Sequence, residues 1–223
     1  MNTSNLIDLA ELALAGYGQF RTLGIPSSDE LTTLNTDEHG FARPQADRFA
    51  ERFQVGVPTF NDAWALGGSG MTSFDVTVFQ GRIGDNAGTL FVSFRGTGQQ
   101  SPAEWPNDIQ SALESLANGV AVSQIVQMFN WWQRVGTPKG SDVPQFMVAP
   151  DYLGPIRISD VKSTGEVATL LSETPGARLV ATGSSLGGHL AMAFATLFPN
   201  QLDQAVVFNA PGFGARAGVT TLF

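Results

Sequence analysis

The chain has 223 residues, with 12 Lys and Arg against 20 Asp and Glu, a formal charge of −8, 43% hydrophobic residues and 14% charged ones. Such a length buries one sizeable core, about 70–75% of the unfolded surface, which sets the expectation of a single domain over residues 1–223. The acidic balance disfavours nucleic acid and other polyphosphate partners, which need clustered cations. The absence of cysteine excludes disulfides and leaves the redox compartment undetermined.

The opening stretch, MNTSNLIDLAELALAGYGQF, lacks a basic leader, and Asp8 and Glu11 interrupt its apolar residues, so it does not read as a signal peptide. Leu6, Leu9, Ala10, Ala13 and Tyr17 fall at helical spacing and predict an amphipathic first helix. No run reaches the ~18 apolar residues of a membrane span. Residues 23–70 are rich in turn formers, with Pro26, Pro44, Pro58 and the Gly67–Gly70 run, and read as irregular. Residues 74–80 (FDVTVFQ) and 89–94 (TLFVSF) read as two strands joined at Gly84–Gly88 into a hairpin. Gly84–Gly88 is a turn on this reading, not a cation loop.

A helix is expected at about 107–117 and a second, more amphipathic one at 121–135, with Ile125, Met128, Phe129 and Trp132 on one face. Those aromatics, with the adjacent Trp131, either fill the core or border an apolar groove. Residues 136–164 contain four prolines and read as a turn-rich insertion. A helix at 165–172 follows. Then a short apolar strand (178–182), a glycine turn, a helix of small residues (186–198) and a strand (204–208) make a parallel crossover. The crossover places the turn at the carboxyl edge of the sheet. The fold class is therefore α/β: a mostly parallel sheet flanked by helices.

That turn, Gly183-Ser184-Ser185-Leu186-Gly187, matches G-x-S-x-G. A serine on so tight a strand-to-helix turn sits in strained backbone, and the residues two before and two after approach each other, so both must be glycine. The pentapeptide alone is a weak signal; the strand before and the helix after make it strong. Ser185 is the candidate nucleophile, supported by Gly183 and Gly187. The N–H of Leu186 is the first candidate oxyanion donor. The second must come from a loop after an earlier strand, and Thr97, following Phe94-Arg95-Gly96, can offer one.

Taken together, Phe94-Arg95-Gly96-Thr97, then Trp105-Pro-Asn-Asp108, then Gly183–Gly188 resemble the class 3, or fungal-type, lipase family of the α/β-hydrolase fold, in particular its bacterial members. The first helix and Asn209-Ala-Pro-Gly212 add to the likeness. The resemblance implies Ser185 as nucleophile, Thr97 and Leu186 as oxyanion donors, and Asp108 as a residue steadying the oxyanion loop; an exposed Asp at a helix start is the other reading of Asp108. It also implies a lid near Trp105 and a lipid or other acyl-ester substrate, met at a lipid–water interface. Residues 136–164 have no counterpart in the family pattern.

A serine needs a base, and the base an orienting carboxylate. The family places both well downstream of the elbow, where this chain has 38 residues and no histidine beyond His189. His189 follows Ser185 on the elbow helix and reads as a candidate base or as a helix residue packed on the sheet. His39, beside Asp37 and Glu38, reads as a candidate base or as an exposed turn residue. The expectation is that the parent protein continues past Phe223 and that this C-terminal part carries the triad Asp and His. A carboxylic ester hydrolase of the lipase or phospholipase kind is the leading reading. The alternatives are an inactive lipid- or partner-binding module, and another serine acyl-transfer enzyme such as a peptidase or acyltransferase. No metal-ligand cluster or phosphate loop is visible, so no cofactor is expected. Acidity and lack of cysteine favour a secreted protein over a cytoplasmic one.

Overall fold

The computed structural model describes residues 3–34, 40–61, 74–96, 121–148 and 155–213. Helix α1 (Thr3–Ala15) is followed by α2 (Ser28–Thr32), α3 (Arg43–Arg52) and three strands, β1 (Phe53–Asn61), β2 (Asp75–Gly81) and β3 (Leu90–Phe94). Then come α4 (Val122–Gly136), the hairpin β4 (Asp142–Val148) and β5 (Pro155–Lys162), and α5 (Glu166–Glu173). Strand β6 (Leu179–Ser184), α6 (Leu186–Leu197) and β7 (Gln204–Phe208) complete the described order.

Five strands form one sheet in the order β1-β2-β3-β6-β7. The first two pairings are antiparallel and the last two parallel. The sheet is thus mixed rather than mostly parallel. Its antiparallel half is built from the hairpin legible at 74–94 plus β1, which the sequence hides. β1 holds Gly56 and Pro58 and pairs through two register irregularities, features that suit only an edge strand. Helices α4, α5 and α6 cover one face, where Val76, Val78, Leu90, Val92 and Phe94 meet Ile125, Met128 and Phe194. Helices α1, α2 and α3 cover the other, where Phe79, Phe91 and Val180 meet Leu12, Leu31 and Phe49. Successive residues of β3 and β6 go to opposite faces, and both cores are apolar, as buried central strands require.

Of the two readings of the aromatics on α4 the core one holds: Trp131 and Trp132 are both less than 4% exposed, and Trp131 also forms part of a cavity wall. Two expectations change. Within the 136–164 region, β4 and β5 form a second, two-stranded sheet packed on α4, with the Asn130 amide donating to the Phe146 carbonyl (2.7 Å) and accepting from its N–H (2.8 Å). Its prolines Pro144 and Pro155 sit in a ladder only two strands wide, where missing donors can face outward. On α1, Leu6 and Ala10 are exposed, whereas Asp8 and Glu11 are buried. The inverted pattern has a cause. Arg52 at the end of α3 forks onto both carboxylates, Asn86 donates to Asp8 at 2.6 Å, and Gln45 donates to Glu11 at 2.9 Å. Paired acids can occupy a face that unpaired ones would not. Among the described residues no helix is long and apolar enough to cross a membrane.

Candidate functional site

Strand β6 runs straight into α6 through one residue. Ser185 has φ 56° and ψ −127°, left-handed backbone that a side chain adopts at a cost of about 1–3 kcal/mol. The turn is held by two bonds: the Ser185 N–H donates to the Phe208 carbonyl of β7 (2.9 Å), and the His189 N–H closes the first helical turn onto the Ser185 carbonyl (3.2 Å). Ser185 itself remains half-buried, while everything from Leu186 to Ala191 is buried. The Leu186 N–H, first of the helix, has no acceptor within it and points out of the positive end of the helix dipole.

Glycine is required here by contact. A Cβ on Gly183 would lie 2.4 Å from the carbonyl carbon of Gly187. One on Gly187 would lie 2.2 Å from the Phe94 carbonyl oxygen. One on Gly96 would lie 2.5 Å from the Ser184 carbonyl oxygen and 2.2 Å from the Tyr17 hydroxyl. These three distances show how closely the end of β3 and the elbow are stacked. Phe94 pairs with Gly183, so Gly96 passes directly beside Ser184. Thr97, Asp108 and His39 lie outside the described residues, but the polypeptide leading into Thr97 is fixed against the elbow.

What fixes it is a buried ion pair that sequence reasoning missed. Arg95, next to Gly96, pairs with Asp75 at the start of β2, and its backbone N–H donates to the Asp75 carbonyl at 3.1 Å. Gln19 donates to the same carboxylate oxygen at 3.0 Å. The signal was present: opposite charges flank the open ends of the two strands of one apolar hairpin.

His189 is completely buried and is engaged at both nitrogens. Nδ1 lies 3.1 Å from the Pro211 carbonyl, which can only accept, so Nδ1 donates; Nε2 accepts from the Ala121 N–H at 3.4 Å. Neither nitrogen is left to take a proton from Ser185. Burial pushes the ring below the ordinary 6.5, with the Pro211 carbonyl opposing weakly. Below about pH 6.5 the unfolded chain therefore takes up a proton that the folded chain refuses, and stability present above that pH is lost as acid is added. We expect urea midpoints to fall between about pH 7.5 and about pH 5.5, by at most about 1.4 kcal/mol per pH unit from this group, and the slope to flatten in His189→Gln.

A cavity of about 310 Å³ lies between β1, α4 and the turn before α5, lined by Val57, Phe60, Trp131, Arg134, Thr164 and Glu166 among others. None of its lining residues belongs to the elbow or to β3.

No family model and no curated protein matches the chain. Solved structures do. A lipase from Rhizopus microsporus var. chinensis aligns at 15% identity and a TM-score of 0.42, over 95% of this chain and 59% of that one. The Lip2 lipase of Yarrowia lipolytica aligns at 13% identity and a TM-score of 0.44, over 97% and 64%. A mutant form of MDLA from Penicillium cyclopium aligns at 15% and 0.40, over 94% and 63%. The chain spans about three fifths of the length of these structures.

Proposed function

We propose that the chain is the nucleophile-bearing part of a serine carboxylic ester hydrolase acting on a lipid or another acyl ester. The observation that carries the proposal is the backbone of Ser185: a non-glycine residue at positive φ, between a parallel strand and a helix, at the carboxyl edge of the sheet, with glycines wherever a Cβ would collide. Strain of this kind is retained where it aims a side chain.

In this reading Ser185 Oγ attacks the ester carbonyl, and the Leu186 and Thr97 backbone N–H groups receive the oxyanion. Asp108 steadies the loop that carries Thr97. The alcohol leaves, and water then releases the acid from the acyl-enzyme. The base comes from elsewhere. Because both nitrogens of His189 are engaged, we assign the base to another residue, either His39, outside the described residues, or a histidine that a C-terminal part of the parent protein would bring together with the carboxylate. Among the described residues strand β7 is the outermost of the sheet, yet its sequence QAVVF carries no charge, proline or bulge, and Ala205–Phe208 are half-buried. Edge strands are ordinarily guarded, and strands of parallel pairs covered on both sides, so this edge suits one more strand.

Fluorophosphonate labelling tests the proposal. Loss of the triad histidine costs roughly a millionfold in turnover, so the 223-residue chain should label very slowly. A version extended through the parent's C-terminus should label fast, and Ser185→Ala should not label at all. If the folded, extended protein fails to label, the hydrolase reading is wrong and a binding module on the same fold takes its place. If the short chain labels fast, the base lies within these residues and His39 becomes the suspect.

A further inference from the structure

The mechanism above leaves one buried titratable group of the elbow helix without a task. His189 sits one turn after Ser185, and its ring is held by two segments remote from each other in sequence. Ala121, whose N–H meets Nε2, is the residue at which the chain enters α4. The polypeptide between Gly96 and Ala121 is the one that leaves β3 beside Ser184 and carries Thr97. Pro211, whose carbonyl meets Nδ1, and Phe213, whose ring packs edge-on at 4.9 Å, lie on the chain leaving β7. That strand's Phe208 carbonyl receives the Ser185 N–H. A phenyl ring would fill the same space at no desolvation cost. A neutral imidazole presents a donor to one segment and an acceptor to the other, which a phenyl ring cannot do.

We propose that His189 is a positioning residue: as the Nδ1–H tautomer it clamps the entry of α4 to the chain leaving β7, the strand whose Phe208 carbonyl holds the Ser185 N–H. Its consequence for catalysis rests on the hydrolase reading; the clamp itself does not. Protonation would set an Nε2–H against the Ala121 N–H, two donors with no acceptor, and open one side of the clamp. Among the described residues, the elements packed on the ring offer no charge to stabilise that imidazolium. Helix α6, strands β6 and β7, residues 209–213 and the first two turns of α4 contain no acidic or basic side chain besides His189, and Arg95 at the end of β3 is paired with Asp75. Burial favours the neutral form of the ring, against the hydrogen bond to the Pro211 carbonyl.

The test is ¹⁵N NMR of the ring combined with amide hydrogen exchange on the full 223-residue chain. At about pH 7.5 the ring should show Nδ1 protonated and Nε2 bare, the tautomer opposite to the one free imidazole favours in water. The Ala121 protection factor should fall about tenfold or more as the ring titrates, while Ser185, whose N–H bond does not involve the ring, keeps its protection. His189→Phe should lose the Ala121 protection at every pH. His189→Gln, which can both donate and accept, should restore part of it without the pH dependence. An Nε2–H tautomer, or Ala121 protection unchanged in His189→Phe, overturns the clamp. If His189→Phe does not fold, the tautomer and the wild-type pH profile still decide. Ser185 labelling is read separately: in the extended protein His189→Phe should slow it about tenfold and His189→Gln recover part of the loss. Absence of labelling with the clamp intact sinks the hydrolase reading alone.

Discussion

Replacing Gly187 by alanine is expected to destabilise the protein by about 3 kcal/mol or more, the upper range of overpacking effects. The new methyl would stand 2.2 Å from the Phe94 carbonyl oxygen and 2.7 Å from the Arg95 carbonyl carbon. Both are backbone atoms of the central strand and its extension, so no rotamer change relieves the clash. The first turn of α6 must lift off β3, which also carries the Leu186 N–H away from the polypeptide leading to Thr97. Thermal unfolding should report a drop of about 6–12 °C for a chain of this size. Gly212→Ala is the control, because nothing lies within 4 Å of its added methyl. A Gly187→Ala protein that melts with the parent would mean that the elbow and β3 are not stacked as described.

The second large effect is expected from the Arg95–Asp75 pair. Arg95→Ala leaves the Asp75 carboxylate, 1% exposed, without its cation, and removing one partner of a buried pair costs about 3–5 kcal/mol. The hydrogen bond from Gln19 is neutral and does not replace the cation. The double substitution Arg95→Met with Asp75→Leu removes both charges at once and should recover most of the loss, since a buried pair replaced by apolar side chains is often close to neutral. Urea unfolding of Arg95→Met, Asp75→Leu and the double variant gives the coupling energy directly. Single and double losses that simply add would show that the two side chains do not meet.

The predictions differ in how far they could be read before the structure. The parallel crossover from β6 through α6 to β7 is legible because each piece is short, apolar and punctuated by glycine or proline. Ser185, Leu186, Gly183 and Gly187 stand where the motif places them, since a strand-to-helix turn of that tightness admits few sequences. The missed pieces depend on partners remote in the chain. Asp8 and Glu11 look like interruptions of an apolar face until Arg52 is found between them. Arg95 looks like surface until Asp75 closes over it. The engagement of both ring nitrogens of His189 depends on Ala121 and Pro211, neither of which any local pattern could nominate. Strand β1 was hidden by its own irregularity: an edge strand tolerates Gly56 and Pro58, which a periodicity argument reads as loop.

The topology of the sheet also bears on how the site comes into being. Strands β1, β2 and β3 are neighbours in sequence as well as in space, and their pairing closes only short loops. Leu90, by contrast, meets Leu179, and α1 reaches across to β6, where the Thr182 hydroxyl donates to the Leu9 carbonyl. Contacts of such separation carry the full entropy of closing a long loop and form late. During synthesis the N-terminal helix and the first three strands leave the ribosome well before the strand that covers Leu9 and Leu12 exists. On these grounds the elbow, with β7 behind it, is expected to assemble after the antiparallel half of the sheet, its strained serine imposed by a scaffold that is already in place.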